Sequence, residues 1–299
     1  MIVVNIKNGL GNQMFQYAFG KVLSWKYNCP VYFDLLRDGD TSPLVTDLDV
    51  FTIDDIPEAS FEDVKQYRPF SVRQFRDNKQ YFKYIYYKLK RMLQPDRLIT
   101  EPFPSLYMDI FNNLNLKKNY YFLGFWQNPR FFEGYEDRIR HFFLPSNPAV
   151  LQTKIANEII NSKDNTVSLH FRRGDYQTSG FLAPLEMEYY HQAIQLIKEK
   201  IDKPFFYIFT DEPEWVEQNF KSDIRYKLVS ENRAEHSYID ILLMSKCKSH
   251  IMANSTFSWW GAWLDANPDK LVIAPKKWYA YEDLNKYTHE ITPESWMRI

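Results

Sequence analysis

The sequence predicts an α/β protein made of two Rossmann-like domains facing a cleft. Three observations carry that expectation. Apolar runs of strand length alternate with segments of helix length along most of the 299 residues. Several of the strands end in polar loops that lead directly into helices. A turn-rich break, Leu144-Pro145-Ser146-Asn147-Pro148, separates the two alternating halves and sets the expected domains at 1–148 and 149–299.

In chain order, Ile2–Ile6 reads as a buried strand and Asn8-Gly9-Leu10-Gly11-Asn12 as a loop. A helix from Gln13 to Tyr27 follows, because Met14, Phe15, Ala18, Val22 and Trp25 share one face. Pro30–Asp34 is the second strand, and Leu35–Pro57 is acidic and rich in turn residues. Tyr81–Met92 places Tyr84, Tyr87, Lys88 and Arg91 at helical spacing. It reads as a solvated amphipathic face that supports at most peripheral membrane contact. Tyr120–Phe125 is a further strand. The second half predicts strands at Val167–Phe171, Phe205–Phe209, Tyr226–Val229, His250–Ala253 and Leu271–Ala274. Helices at Pro184–Lys200, Pro213–Phe220 and Ser237–Cys247 alternate with them, and another helix starts within Asn254–Ser258.

Composition narrows the function. Lys and Arg number 37 against 38 Asp and Glu, which argues against a nucleic-acid binder. The two cysteines suggest neither a disulfide framework nor a zinc cluster and fit a reducing cytoplasm. The amino terminus enters a strand directly, so no signal peptide is expected, and no stretch has the length of a membrane span. The 23 Phe, 21 Tyr and 8 Trp chiefly fill cores, although aromatic faces also stack on sugars.

The densest chemistry lies in His170-Phe171-Arg172-Arg173-Gly174-Asp175-Tyr176 at the end of a strand. Ligands of parallel α/β sheets bind at carboxyl ends of strands, and guanidinium forks match phosphate oxygens. A simple ion pair between Arg173 and Asp175 is the alternative. Thr210-Asp211 and Asn254–Ser258 should emerge on the same sheet edge. The latter begins a helix, whose unpaired N–H groups suit phosphate, unless Ser255 or Ser258 merely caps it. Gly9-Leu10-Gly11-Asn12-Gln13-Met14 partly mimics a dinucleotide fingerprint, with Asp34 ending the next strand. Met14 at its third small position argues against a nicotinamide enzyme. Asp38-Gly39-Asp40 and Asp47-Leu48-Asp49 have the spacing of manganese-binding triplets, yet both lie in a loop-like region, and no metal site is expected.

Three segments in order, Gly9–Tyr17, His170–Tyr176 and Asn254-Ser255-Thr256-Phe257-Ser258-Trp259-Trp260-Gly261-Ala262, resemble the bacterial α1,2-fucosyltransferases of glycosyltransferase family eleven. The resemblance runs from Ile6 to about Tyr279, and no motif matches across Leu35–Asn119. It implies a GT-B-like fold with an acceptor-side first domain and a GDP-fucose-binding second domain. It also implies metal-independent, inverting transfer of L-fucose from GDP-β-L-fucose to the 2-hydroxyl of a terminal galactose. No cofactor beyond that donor is implied. The acceptor would be a bacterial surface glycan such as a lipopolysaccharide O-antigen, built at the cytoplasmic side of the membrane. By the same resemblance Arg172 binds the β-phosphate and helps expel GDP, and His170 and Asp240 hold guanosine. Ser255, Thr256, Phe257 and Ser258 surround the diphosphate, while Asn12 and Gln13 reach toward fucose and phosphate. Arg173 joins the donor-binding set, and Asp175 is the expected general base, with Glu186 and Glu188 as alternatives. Transfer with another linkage and a non-catalytic sugar-binding protein are the competing readings.

Overall fold

The structure, a computed structural model, describes residues 1–36, 46–65, 67, 98–102, 106–182, 184–229 and 236–299. The Tyr81–Met92 helix and the Asp38–Asp40 triplet lie outside the described residues. The chain divides into two compact units, Met1–Asp49 with Ile53–Ile139, and Val50–Thr52 with Arg140–Ile299. The division therefore falls earlier than the Leu144–Pro148 break, because that break packs inside the second unit. Ser146 donates to the Val50 carbonyl at 2.9 Å, Thr52 to the Leu144 carbonyl at 2.8 Å, and Phe143 meets both Phe51 and Trp260 edge-on.

The first unit holds β1 (Ile2–Asn5), α1 (Leu10–Tyr27), β2 (Val31–Asp34), α2 (Phe61–Val64), β3 (Leu98–Thr100) and β4 (Tyr120–Leu123). Its four strands are parallel, in the order β2-β1-β4-β3. Helix α1 starts at Leu10 rather than Gln13, because the Gly9 carbonyl already accepts from Asn12 and Gln13. Its apolar side buries Phe15, Phe19 and Val22, and the Phe19 ring stacks on Trp126 at 4.4 Å. Asp34 is fully buried and accepts from the Tyr121 hydroxyl at 2.6 Å and the Leu36 amide at 3.0 Å. It belongs to the core, so the fingerprint has no acidic residue free for a ribose. Tyr121 is also a meeting point: Tyr67 stacks on its ring at 5.4 Å, and Leu98 is its partner in the β3–β4 register.

The second unit contributes α4 (Lys154–Ile160), β5 (Asn165–Phe171), α5 (Met187–Lys200), β6 (Pro204–Thr210), α6 (Pro213–Asn219) and β7 (Tyr226–Val229). It continues with α7 (Tyr238–Met244), β8 (Ser249–Ile251), α8 (Thr256–Leu264), β9 (Leu271–Ala274), α9 (Glu282–Asn285) and β10 (Met297–Arg298). In sequence, the division after Ile139 falls within α3 (Glu136–Phe142). All six strands are parallel in the order β10-β9-β8-β5-β6-β7. Counted from β5 as the first strand, this is the Rossmann order third-second-first-fourth-fifth-sixth, with its switch point between β5 and β8. Strand alternation sorts β5: Val167, Leu169 and Phe171 join Tyr190, Ala193, Ile194 and Ile197 of α5 in one core, while Thr166, Ser168 and His170 alternate with them. On helix α8, Gly261 allows close packing, since a Cβ there would lie 2.7 Å from the Met244 side chain.

Glu101 is the tightest fit in the first unit. Its carboxylate accepts from the Phe125 amide and, at 2.8 Å, from the Trp126 amide, holding Trp126 at φ 57°. A Cβ on Gly124 would overlap Glu101. Gly124→Ala should therefore destabilise the first unit by about 2 kcal/mol or more, read as a lowered urea midpoint. An unchanged midpoint would show that Glu101 moves aside without cost.

Candidate active site

The loops after β5, β6 and β8 all leave the carboxyl edge of the second sheet, two of them on either side of the switch point. Arg172 stands just beyond β5. One of its terminal nitrogens lies 2.7 Å from Asp175 Oδ1 and the other 3.1 Å from Asp211 Oδ2, with Cζ 5.3 Å from the Tyr176 ring. Its Nε–H is buried and has no partner among the described residues, an arrangement that leaves a donor for a ligand. The ion pair of this loop therefore forms on Arg172, not on Arg173.

The two carboxylates differ. Asp175 lies in a short 3₁₀ turn, Gly174–Gln177, and its side chain is 67% exposed, against 24% for Asp211. Asp211 also accepts from the Arg173 amide at 3.0 Å, and burial raises its carboxyl above the usual range despite the pull of Arg172. Gly174 leaves room beside it: a Cβ there would sit 2.7 Å from Asp211 Oδ2, and the carboxylate would have to shift. Sequence reasoning singled out the Thr210-Asp211 loop without giving Asp211 a role. The signal was its place at the end of the strand that pairs with β5.

Arg173 turns elsewhere. Its Nε donates to Glu212 at 3.1 Å and its guanidinium lies 3.6 Å over the Trp215 ring, so it anchors the start of α6. His170 is buried with Nδ1 unpartnered, and its ring lies 5.6 Å from Phe257. Burial, reinforced by Arg172, pushes its pKa down to about 3, so the imidazole is neutral.

At the start of α8, Ser255 is the cap and accepts from the Phe257 amide at 3.3 Å. Thr256 and Phe257 are half-buried in the first turn. Ser258 is buried and accepts from the Ala253 amide at 3.2 Å, which braces its own loop. The loop is tied to the arginine turn, because the Tyr176 hydroxyl donates to the Asn254 carbonyl at 3.1 Å. Asp240 is buried in the first turn of α7.

In the first unit, the Gln13 amide is spent internally. It donates to the Asn8 carbonyl at 2.8 Å and accepts from the Asp47 amide at 3.1 Å. Both contacts shape the glycine loop. Asn12, half-buried, accepts from Gln127 at 2.7 Å across the ends of β1 and β4. Among the described residues no group of three His, Cys, Asp or Glu side chains is placed to hold a metal ion. No helix among them is long and apolar enough to cross a membrane.

Two parallel Rossmann-like units, one with an arginine at its switch point, define a GT-B-like glycosyltransferase architecture. An Arabidopsis thaliana FUT1 variant solved with GDP shares the fold at a TM-score of 0.50 and 13% identity, over 91% of this chain and 69% of that one. The model of glycosyl transferase family 11 matches residues 76–299. The O-antigen biosynthesis glycosyltransferase WbnK of Escherichia coli is 31% identical over 98% of this chain and 99% of its own. An α-1,2-colitosyltransferase of Escherichia coli is 33% identical over 100% of this chain and 99% of its own. The chain belongs to glycosyltransferase family 11.

The neutral His170 makes stability depend on pH. Its folded pKa, about 3, lies below the ordinary 6.5, so the unfolded chain takes up the proton first on acidification. Stability is therefore full above 6.5 and falls as pH drops toward 3, with a slope of at most about 1.4 kcal/mol per pH unit from this one group. Urea unfolding at pH 7 and pH 4.5 should show a smaller acid loss in His170→Asn than in the wild type. Equal losses would mean that His170 does not stay neutral.

Proposed function

We propose that the chain transfers L-fucose from GDP-β-L-fucose to the 2-hydroxyl of a terminal galactose, with inversion and without a metal ion. The observation that carries this reading is Arg172, held by Asp211 at the switch point with a buried, unpartnered N–H. Family membership and the α-1,2-colitosyltransferase relative support the chemistry and the linkage. That relative also favours a second reading in which the donor sugar is colitose, the 3-deoxy counterpart of L-fucose.

In the proposed step, the galactose O2 attacks C1 of fucose as the bond from C1 to the β-phosphate oxygen breaks. The leaving diphosphate gains charge, and Arg172 with the amides at the start of α8 receives it. The 2-hydroxyl proton passes to Asp175. In the unliganded arrangement Asp175 is engaged by Arg172, so the incoming diphosphate takes its place and frees the carboxylate. Asp211, less exposed and bonded to the Arg173 amide, keeps its hold. His170 and Asp240 hold the guanosine, the carboxylate of Asp240 accepting from the guanine N–H donors. Ser255, Thr256 and Phe257 line the diphosphate, and Asn12 belongs to the donor-binding set. The acceptor is a bacterial surface glycan.

Arg172→Ala should slow transfer by about a hundredfold or more, the scale of removing one preorganised donor. Near-normal transfer would remove Arg172 from the step. Asp175→Asn should flatten the acid limb of the pH–rate profile, and a profile altered instead by Glu186→Gln would move the base to that residue. Transfer should continue undiminished in excess chelator, with GDP-fucose and GDP-colitose compared as donors and the product linkage read by NMR. Activity that returns only on adding divalent ions would overturn the metal-free mechanism.

A further inference from the structure

Two loops on the carboxyl edge of the second sheet remain unused by that chemistry. One follows the arginine turn and carries Phe181; the other follows β9 and carries Tyr279 and Tyr281. They are joined by the Ala280 amide, which donates to the Phe181 carbonyl at 2.9 Å. The Phe181 ring lies 5.3 Å from Tyr279 and 6.1 Å from Tyr281. Tyr281 is 58% exposed, the highest value among the exposed large hydrophobic side chains of the described residues. Exposed Tyr226, by contrast, opens β7 and so lies at the amino edge of the sheet.

The frame beneath these rings is rigid. Asn285 Oδ1 accepts from the Trp278 and Tyr279 amides, both at 2.8 Å, while its Nδ2 donates to the Tyr279 carbonyl at 3.0 Å. Trp278 and Tyr279 are buried. On the other loop, the Ser179 hydroxyl accepts from the Leu182 amide at 3.1 Å. The frame is also continuous with the site: Tyr176 donates to the Asn254 carbonyl, and Asn254 Nδ2 donates to the Trp278 carbonyl at 2.8 Å. The segment bearing the exposed ring is thus connected, through two hydrogen bonds, to the turn that bears Arg172.

We propose that Tyr281, backed by Phe181, is a platform for the acceptor glycan, binding a neutral pyranoside beyond the sugar that is fucosylated. A pyranose presents an apolar C–H face and a hydroxyl rim. The Tyr281 ring covers such a face, and its own hydroxyl and the neighbouring Glu282 carboxylate supply partners for the rim. A tyrosine held by a fixed backbone loses little freedom on binding, having only two side-chain torsions. A glycosyltransferase takes a saccharide acceptor, and the platform lies on the frame of the turn that, on the proposed reading, would handle the leaving group. The inference rests on the transferase reading above.

The test uses the full chain with GDP-fucose as donor and methyl β-galactoside, lactose and a galactose-terminated trisaccharide as acceptors. Tyr281→Ala should raise the acceptor KM about tenfold for the trisaccharide and lactose, and far less for the monosaccharide. The donor KM and GDP affinity should stay within about twofold, and Tyr281→Phe should keep most of the acceptor affinity because the ring remains. Unchanged acceptor KM values, or an equal rise in donor KM, would overturn the platform. Loss of binding to anionic phospholipid vesicles at unchanged acceptor KM would instead make this face a membrane contact and overturn it equally. Failure of the wild type to transfer from either GDP-fucose or GDP-colitose sinks the transferase reading by itself. Saturation-transfer NMR of the same acceptors with GDP-loaded protein still reports on Tyr281 in that case, and equal signal in wild type and Tyr281→Ala would count against the platform.

Discussion

Everything at the candidate site depends on the position of β5, which pairs in parallel with β6 on one side and β8 on the other. The crossover direction reverses at that strand, so the loops after β5 and β8 diverge and leave a crevice. The register is locked from within. Ser168 faces His250 across the β5–β8 pair, with Oγ 2.8 Å from Nδ1, while Nε2 lies 3.1 Å from Asp265 at the end of α8. The three side chains have the composition of a hydrolase triad. Ser168 is only 3% exposed and His250 only 1%, so no substrate reaches them. Their effect is mechanical: they tie the strand that delivers Arg172 to the helix whose amino end lies at the same edge.

Within that frame, the charge around Arg172 is uneven by design of exposure rather than distance. The Asp175 pair is short but largely in water, where such a contact is worth at most about 1 kcal/mol. In the proposed reaction a doubly charged diphosphate would replace it. The Asp211 contact is better shielded and shares its carboxylate with a backbone amide, so it is the firmer of the two. The proposed phosphate site would use both features: a donor aligned beforehand and a weak occupant that yields.

Much of this was legible in the sequence, and the departures have physical causes. The central strands were plain because uninterrupted apolar runs end in polar turns, as at Val167–Phe171 and Phe205–Phe209. The short strands β3 and β10, three and two residues long, carry no such periodicity and went unread. Arg172 and Arg173 looked equivalent as letters. Adjacent residues on extended chain point to opposite sides, so one guanidinium stays with Asp211 and Asp175 while its neighbour goes to Glu212 and Trp215. The partners of Gln13 were not legible: its amide bonds to Asn8, five residues back, and to Asp47, 34 residues on, and only the fold brings the second within reach. Ser258 also supports the backbone of its own loop, a common duty of a hydroxyl near a helix start.

The convergence of Tyr67 and Leu98 on Tyr121 means that one aromatic side chain secures two separate stretches of chain to a central strand of the first sheet. Truncating that ring would loosen both together, so the three positions form one cooperative unit whose losses do not add.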